Sequence, residues 1–163
     1  MSYARVCEHR LTRRVQFHET DLAGVVHFSC YFRYMEEAEH ALWRAAGLSI
    51  HPKDAELGWP RVHASFDYHR ALRFEDEFEI RIRIVAIEER TIRYTCMLSR
   101  GETRIATGHV TIACASLSKG QKMRAAPIPD EIRARLAVAP PETAAEGAAA
   151  AADGSAADPE AGS

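Results

Sequence analysis

The chain has 163 residues, 47% of them hydrophobic and 27% charged, which is typical of a soluble globular protein with a single domain. The formal net charge of −2 is uneven, because residues 139 to 163 hold five acidic side chains and no Lys or Arg. The remaining 21 basic and 18 acidic residues leave a net charge of about +3, which is too weak for a nucleic-acid-binding surface.

Cysteine spacing and hydropathy exclude further classes of protein. The four cysteines, at positions 7, 30, 96 and 114, are too widely spaced to predict a zinc site or a disulfide framework. The N-terminal residues lack the apolar run of a signal peptide, and no apolar stretch is long enough to cross a membrane. We therefore expect a cytoplasmic protein with reduced thiols, no metal, no cofactor and neither nucleic acid nor membrane as a partner.

A long helix follows a first extended strand, which the pattern places over residues 3 to 18. From Ser29 onward, apolar side chains recur every three or four residues, as they do on the buried face of a helix. The positions that define this face are Phe32, Met35, Ala38, Leu42 and Ala46. Ser29 is predicted to cap the start of the helix and Gly47 to end it.

Four strands are predicted after Trp59, where apolar and polar residues begin to alternate. They cover residues 62–68, 78–84, 92–98 and about 104–116. The turns between the last three are short, which favours antiparallel pairing. The fold class is therefore α+β, with the long central helix packed on a curved antiparallel sheet of about five strands.

The C-terminal quarter of the chain changes character. A short helix is predicted from Asp130 to Leu136. Residues 139 to 163 contain only small, acidic and turn-forming residue types, with no Leu, Ile, Val or aromatic side chain. Such a segment cannot bury enough apolar surface to offset the entropy lost on ordering. We expect a folded domain over residues 1–138 and a disordered tail over residues 139–163.

Two stretches carry a family resemblance. V-Q-F-H-E-T-D-L-A-G-V-V-H-F, followed by Y-F-R-Y-M-E-E-A, resembles the signature of the 4-hydroxybenzoyl-CoA thioesterase family. W-P-R-V-H-A-S-F-D-Y is similar to the second strand of the branch that includes dihydroxynaphthoyl-CoA hydrolases. The resemblance covers about residues 10 to 117 and implies the hot-dog fold, in which an antiparallel sheet wraps a long helix. Glu39-His40 departs from the Ala-Arg pair of many relatives.

The resemblance implies that Asp21 is catalytic, as a general base or as a nucleophile. Thioester hydrolysis also needs donors for the carbonyl oxygen as it gains charge. The helix start at residues 27 to 29 offers free backbone N–H groups and a positive dipole end, and the Phe28 N–H is the favoured oxyanion donor. The alternative is that Asp21 is only an Asx-turn or cap residue.

Further candidate residues flank this junction. His27 is a possible catalytic residue, and Gly24 permits the tight turn after Asp21. Tyr31, His63 and Arg93 are candidates for substrate binding. For His63 and Arg93 the alternative is an ordinary solvated position on the polar face of a strand.

The expected function is that of an acyl-CoA thioesterase, which releases a free acid and CoA. The family resemblance implies a homodimer or homotetramer with sites shared between protomers. Two alternatives remain open: a hydrolase that acts on an acyl-carrier protein, and a non-catalytic protein that binds acyl thioesters. The sequence leaves the acyl group open, since aromatic and aliphatic groups both suit an apolar pocket.

Overall fold

One long helix lies against a five-stranded antiparallel sheet in the computed structural model, which describes residues 4–118 and 120–143. The elements, in chain order, are β1 (Glu8–Arg14), a short 3-10 helix (Phe17–Glu19), α1 (Cys30–Ala45), β2 (Leu57–Gly58), β3 (Arg61–Tyr68), β4 (Glu77–Ile87), β5 (Thr91–Arg100), β6 (Thr103–Ala113), β7 (Ala115–Ser116), β8 (Arg124–Ala125) and α2 (Asp130–Arg133).

The large sheet has the strand order β1-β4-β5-β6-β3, and every neighbouring pair is antiparallel. The predicted α+β class, the long helix and the five-stranded sheet are confirmed. The first strand is shorter than predicted, since it ends at Arg14 and the chain then forms the 3-10 helix. A second sheet, in the order β2-β7-β8, was not predicted, because its two-residue strands are too short to show alternation.

The core lies between α1 and the facing side of the sheet. The helix buries a stripe that includes Met35, Ala38 and Leu42, and β4 contributes Ile80 and Ile82, which are fully buried. Burying each large aliphatic side chain contributes roughly 1.5–3 kcal/mol, so this contact dominates the stability of the fold. The helix ends at Gly47 as predicted, where a φ of +71° suits glycine.

Strand β3 forms one edge of the large sheet and presents an unusually exposed apolar face. Phe66 packs its ring over Gly108 on β6, where a Cβ atom would lie 2.5 Å from the ring. Val62 and Tyr68, which lie on the predicted apolar side of this strand, remain 60% and 46% exposed. The apolar face of β3 is therefore covered only at its centre.

Residues 139–143 run along the outside of the sheet, although their composition places them in the predicted tail. The Ala139 N–H donates to the Ile84 carbonyl at 2.8 Å. Arg83 donates to the Pro140 carbonyl at 2.5 Å, and its Nη1 lies 3.2 Å from the Glu142 carboxylate. The rest of the predicted tail, residues 144–163, lies outside the described residues, so its disorder stays a prediction.

These contacts predict a stability effect that composition does not. Replacing residues 140–143 with Gly-Ser-Gly-Ser in the full chain removes the Glu142 carboxylate that pairs with Arg83 and the proline ring that restricts the backbone at residue 140, whose carbonyl Arg83 also contacts. We expect the melting temperature to fall by about 3 °C, which corresponds to roughly 1 kcal/mol in a chain of this size. The same linker placed over residues 150–153 is the control, and an equal melting temperature for both variants would contradict the contact.

A buried ion pair joins α1 to β3. The Glu39 side chain is 1% exposed, and its Oε2 lies 2.7 Å from Arg61 Nη2. Glu36 Oε2 lies 3.4 Å from the same nitrogen. Burial raises the pKa of Glu39 to about 7, even though Arg61 opposes the shift, and the neighbouring Glu36 charge adds to it. Loss of hydration therefore outweighs the attraction of a single guanidinium.

The Glu39 pKa gives a pH-dependent prediction. A carboxyl whose pKa is higher in the folded state stabilises the fold below its ordinary value of 4.5, and this contribution is lost as pH rises through 7. At pH 8, the free energy of unfolding of Glu39→Gln, measured in urea, should therefore exceed that of wild type by up to about 3 kcal/mol. At pH 5, the two proteins should be nearly equally stable. Glu102→Gln, at an exposed position outside this ion pair, is the control. A Glu39→Gln variant that is less stable at pH 8 than at pH 5, relative to wild type, would contradict the assignment.

Candidate active site

A tight loop places Asp21 just before the start of α1. The Asp21 N–H donates to the Val25 carbonyl at 2.9 Å, and the Gly24 N–H donates to the Asp21 carbonyl at 3.0 Å. Gly24 has a φ of +76°, so a residue with a Cβ atom would be strained there. The Ala23 N–H donates to Asp21 Oδ1 at 2.8 Å, which is an Asx turn. The second carboxylate oxygen, Oδ2, has no hydrogen-bond partner among the described residues and remains available for chemistry.

The loop is anchored by Glu19, a buried carboxylate. Its side chain is paired with Arg13 at 2.5 Å and accepts hydrogen bonds from the Tyr34 hydroxyl at 2.8 Å and from the Gln16 N–H at 2.9 Å. Its backbone carbonyl accepts from the His27 N–H at 2.9 Å. Glu19 therefore holds both ends of the Asp21 loop against the body of the protein.

Only one N–H of residues 27 to 29 is free for a ligand within the described part of the chain. The His27 N–H is used by the Glu19 carbonyl, and the Ser29 N–H lies 3.3 Å from His27 Nδ1. The Phe28 N–H has no partner there. Ser29 occupies the predicted cap position, but its hydroxyl pairs with His27 Nδ1 at 2.7 Å instead of capping the helix. The local hydrogen bonds thus leave Phe28 as the donor at the positive end of α1.

Asp21 and Phe28 line one groove, with a volume of about 370 Å³. Tyr31 forms its buried wall, and Tyr68 reaches it from β3. The Tyr68 hydroxyl donates to the Phe28 carbonyl at 2.9 Å, and its ring packs edge-on against Tyr31 with centroids 4.9 Å apart. Burial raises the pKa of Tyr31 to about 12, so its hydroxyl stays protonated at neutral pH. The groove therefore combines a carboxylate, a backbone donor and aromatic walls.

The structure brings together some of the predicted site residues and not others. Gly24 and His27 flank the groove, and the His27 ring lies against Phe28 with centroids 4.5 Å apart. His63 and Arg93 lie on the face of the sheet opposite to α1, both paired in register with Thr111. Arg93 is exposed and lies 3.4 Å from Glu88. Within one protomer these two side chains do not line the groove, so their roles stay predictions.

Sequence reasoning missed three residues of this region. Glu19 gave no signal, because an acidic residue two positions before Asp21 is indistinguishable from a solvated one. Tyr68 was predicted only as part of an apolar strand face. Arg70 lines the groove beyond the end of β3 and was not considered at all. The pairing of Tyr68 with a backbone carbonyl 40 residues away depends on the packing of β3 beside α1.

Two further findings bear on the nature of the site. Among residues 4–118 and 120–143, no group of three or more His, Cys, Asp or Glu side chains could hold a metal ion. In the same part of the chain, no helix is long and apolar enough to span a membrane.

Comparison with known proteins decides the family. Residues 15–136 match the thioesterase-like superfamily, a stretch that includes the Asp21 loop, α1 and every strand of the large sheet except β1. The chain belongs to this superfamily. The resemblance to a thioesterase family and the hot-dog fold that it implied are thereby confirmed, and so is the expected class of enzyme, a thioester hydrolase.

Individual members of the superfamily agree with this assignment. The chain is 33% identical over 95 residues to a putative esterase of Aquifex aeolicus, covering 58% of this chain and 74% of that protein. It is 27% identical over 131 residues to a 1,4-dihydroxy-2-naphthoyl-CoA hydrolase of Synechococcus elongatus, covering 78% and 94%. A solved gentisyl-coenzyme A thioesterase superposes with a TM-score of 0.69 at 27% identity, covering 79% of this chain and all of that chain.

Proposed function

We propose that the protein hydrolyses acyl-CoA thioesters in the groove between the Asp21 loop and the start of α1. One observation carries the proposal: the Phe28 N–H and the Asp21 carboxylate line the same groove. Membership of the thioesterase-like superfamily supports the reaction class. Relatives named as hydrolases of CoA thioesters support CoA as the leaving group.

The geometry gives the Phe28 N–H and the Asp21 carboxylate separate roles in the reaction. The thioester carbonyl oxygen accepts a hydrogen bond from the Phe28 N–H, and the positive end of α1 stabilises the charge that develops on it. Asp21 Oδ2 then either removes a proton from the attacking water or attacks the carbonyl carbon itself. In the first route, water adds to the carbonyl carbon, the C–S bond breaks, and the CoA thiolate leaves with the bonding electron pair and takes up a proton. In the second route, the CoA thiolate leaves as an anhydride forms between the acyl group and Asp21, and a water molecule then hydrolyses this anhydride to release the acid and restore the carboxylate.

The aromatic walls favour an aromatic acyl group. Phe28, Tyr31 and Tyr68 surround the groove, and the Tyr31–Tyr68 edge contact leaves flat apolar surfaces suited to stacking. The 1,4-dihydroxy-2-naphthoyl-CoA hydrolase and the gentisyl-coenzyme A thioesterase are both named for aromatic acyl groups. We propose a preference for aromatic over aliphatic acyl-CoA.

A panel of acyl-CoAs tests the activity. Release of CoA is followed with a thiol-detecting dye, using benzoyl-CoA and hydroxylated benzoyl-CoAs beside hexanoyl-CoA and palmitoyl-CoA. We expect kcat/KM to be highest for an aromatic member. Turnover of the same acyl groups on an acyl-carrier protein but not on CoA would contradict CoA as the leaving group. Absence of turnover on every thioester, with binding retained, would support the non-catalytic alternative instead.

We propose that the working form is a cytoplasmic homodimer or larger homo-oligomer, formed across the free edge of β3. This strand ends the sheet, so one row of its backbone groups is not paired within the sheet. Val62 and Tyr68 are exposed on it, and Phe17, Leu22 and Phe74 form further exposed apolar surface near the Asp21 loop. Pairing of β3 with its counterpart would cover this surface and close the groove.

The assembly proposal predicts a definite mass. Size-exclusion chromatography with light scattering should give at least twice the 18.2 kDa of one chain at micromolar concentration. Val62→Lys places a charge in the proposed interface and should shift the protein towards monomer, whereas Val85→Lys, at an exposed position on β4, should not. A fully active monomer would contradict the proposed interface between the β3 strands of two protomers.

A further inference from the structure

A second cavity lies on the face of the large sheet that points away from α1. Ile82 and Ile84 are buried against the helix, so the alternating residues of β4 face outward. Outward side chains of β4, β5 and β6, together with residues 138–142, enclose a volume of about 520 Å³. This outer-face cavity shares no residue with the groove beside Asp21. Its volume lies in the range typical of small-molecule sites.

Three arginines line the outer-face cavity. The side chains of Arg83 and Arg81 are only 9% and 14% exposed, so both guanidinium groups are held largely out of water. Arg104 on β6 is the third, and its Nε is buried without a hydrogen-bond partner among the described residues. A buried N–H without an acceptor is costly, which indicates that a ligand atom could supply the missing acceptor.

Two carboxylates in the described part of the chain face this cluster. Glu8 Oε2 lies 2.9 Å from Arg81 Nη2 and 3.2 Å from Arg83 Nε, and strand pairing fixes it, because Glu8 stands in register with Arg83. Glu142 comes from the irregular segment after α2, and its Oε1 lies 3.2 Å from Arg83 Nη1 and 4.0 Å from Arg81 Nη1. Within the described residues, three guanidinium groups therefore face two carboxylates.

We propose that the outer-face cavity is a binding site for a small organic carboxylate, and that Glu142 occupies the position of the ligand's carboxylate when no ligand is bound. The Glu142 contact with Arg83 already places a carboxylate at this position, and charge-assisted pairs of this type are strong. Val85, Met97 and Val138 provide apolar walls for the body of the ligand. The acceptor that Arg104 Nε lacks comes from a second ligand oxygen.

Glu142 and Arg104 make the proposal testable by titration. The full chain is titrated with 2-naphthoate by isothermal calorimetry, with 2-naphthalenemethanol and inorganic phosphate as probes that lack the carboxylate or the apolar body. Glu142→Gln removes the competing charge and should bind 2-naphthoate roughly 10-fold more tightly than wild type. Arg104→Gln should weaken binding by a similar factor, and Arg104→Lys, which keeps the charge but not the Nε, should also weaken it. Arg90→Gln, an exposed arginine outside the cavity, is the matched control.

Unchanged affinity in Glu142→Gln and in both Arg104 variants, with melting temperatures near wild type, would overturn the proposal, because 2-naphthoate would then bind elsewhere. Phosphate binding as tight as that of 2-naphthoate would also overturn it, since the site would then need no organic body. If 2-naphthalenemethanol bound as tightly as 2-naphthoate, the proposal would also be overturned, because the arginines would then contribute nothing to the affinity. Glu142 and Arg104 line the outer-face cavity and not the groove beside Asp21, so a change in 2-naphthoate affinity in these variants reports on the cavity even if some 2-naphthoate also binds in the groove.

Discussion

Asp21→Asn should fold normally and lower kcat by at least about 100-fold, the low end for loss of a positioned acid–base group. The Asn side-chain oxygen can still accept the Ala23 N–H, so the turn after residue 21 is kept. What is lost is the negative charge on the oxygen that faces the groove. Binding of a non-hydrolysable CoA thioester analogue should survive, because the Phe28 N–H is unchanged. Turnover is measured on the best acyl-CoA of the panel.

A matched control shows whether the effect comes from the loss of a carboxylate in the groove or from the loss of any surface carboxylate. Asp54 is exposed, lies outside the groove and has a φ of 60°, a conformation that Asn tolerates well. Asp54→Asn should therefore retain wild-type kcat. Near-normal turnover in a well-folded Asp21→Asn protein would show that this acid only forms the Asx turn.

The largest effect on stability should come from Glu19. Glu19→Ala removes the carboxylate that Arg13 Nη1 contacts at 2.5 Å, although Arg13 Nε keeps its bond to Glu37 at 2.9 Å, and it removes the acceptor of the Tyr34 hydroxyl. Breaking a buried pair by removing one partner costs about 3–5 kcal/mol, and we expect a loss of that size in urea unfolding at pH 7. Glu79→Ala is the control. It removes an exposed pair with Arg10 of similar length, 2.9 Å, and should cost less than about 1 kcal/mol.

The Glu19 effect should depend on pH in a defined direction. Burial alone would raise the pKa of Glu19, but hydrogen bonds from the Gln16 N–H, the Tyr34 hydroxyl and Arg13 together lower it below its ordinary value of 4.5. A carboxyl with a lowered pKa stabilises the fold above 4.5, and this contribution is lost as pH falls through the folded-state pKa. The gap in stability between wild type and Glu19→Ala should therefore narrow below pH 4.5. A gap that is constant down to pH 3 would show that packing, not charge, holds the loop.

The main elements could be predicted from the sequence because their patterns are long. Sixteen residues of α1 repeat an apolar stripe, and the eleven-residue strand β4 alternates over most of its length. The two-residue strands β2, β7 and β8 carry no such signal, since their pairing depends on where the larger elements place them. Residues 139–143 were assigned to the tail for a related reason. Their contacts come from Arg83, and composition cannot show a partner that is distant in sequence.

The Asp21 loop and the start of α1 could be predicted as the candidate site from the sequence. The residues that hold this loop in place could not. A helix start always offers N–H groups, so donors at residues 27 to 29 followed from the sequence. That Phe28 alone is free among these three depends on the Glu19 carbonyl and the His27 ring, which only the folded loop brings into place. His63 was predicted from the family resemblance, and Arg93 as a cation that could contact the CoA phosphates. The alternation of apolar and polar residues predicts which face of a strand is polar, but it does not predict whether that face borders a groove.

A crystal structure of the Asp21→Asn protein with a non-hydrolysable acyl-CoA thioester analogue tests the central claim most directly. We predict that the carbonyl oxygen of the analogue lies within about 3 Å of the Phe28 nitrogen, with its carbonyl carbon facing residue 21 and its acyl group against Tyr31 and Tyr68. An analogue whose carbonyl lies outside the groove, or a Phe28 N–H paired with the protein while the analogue is bound, would contradict the account.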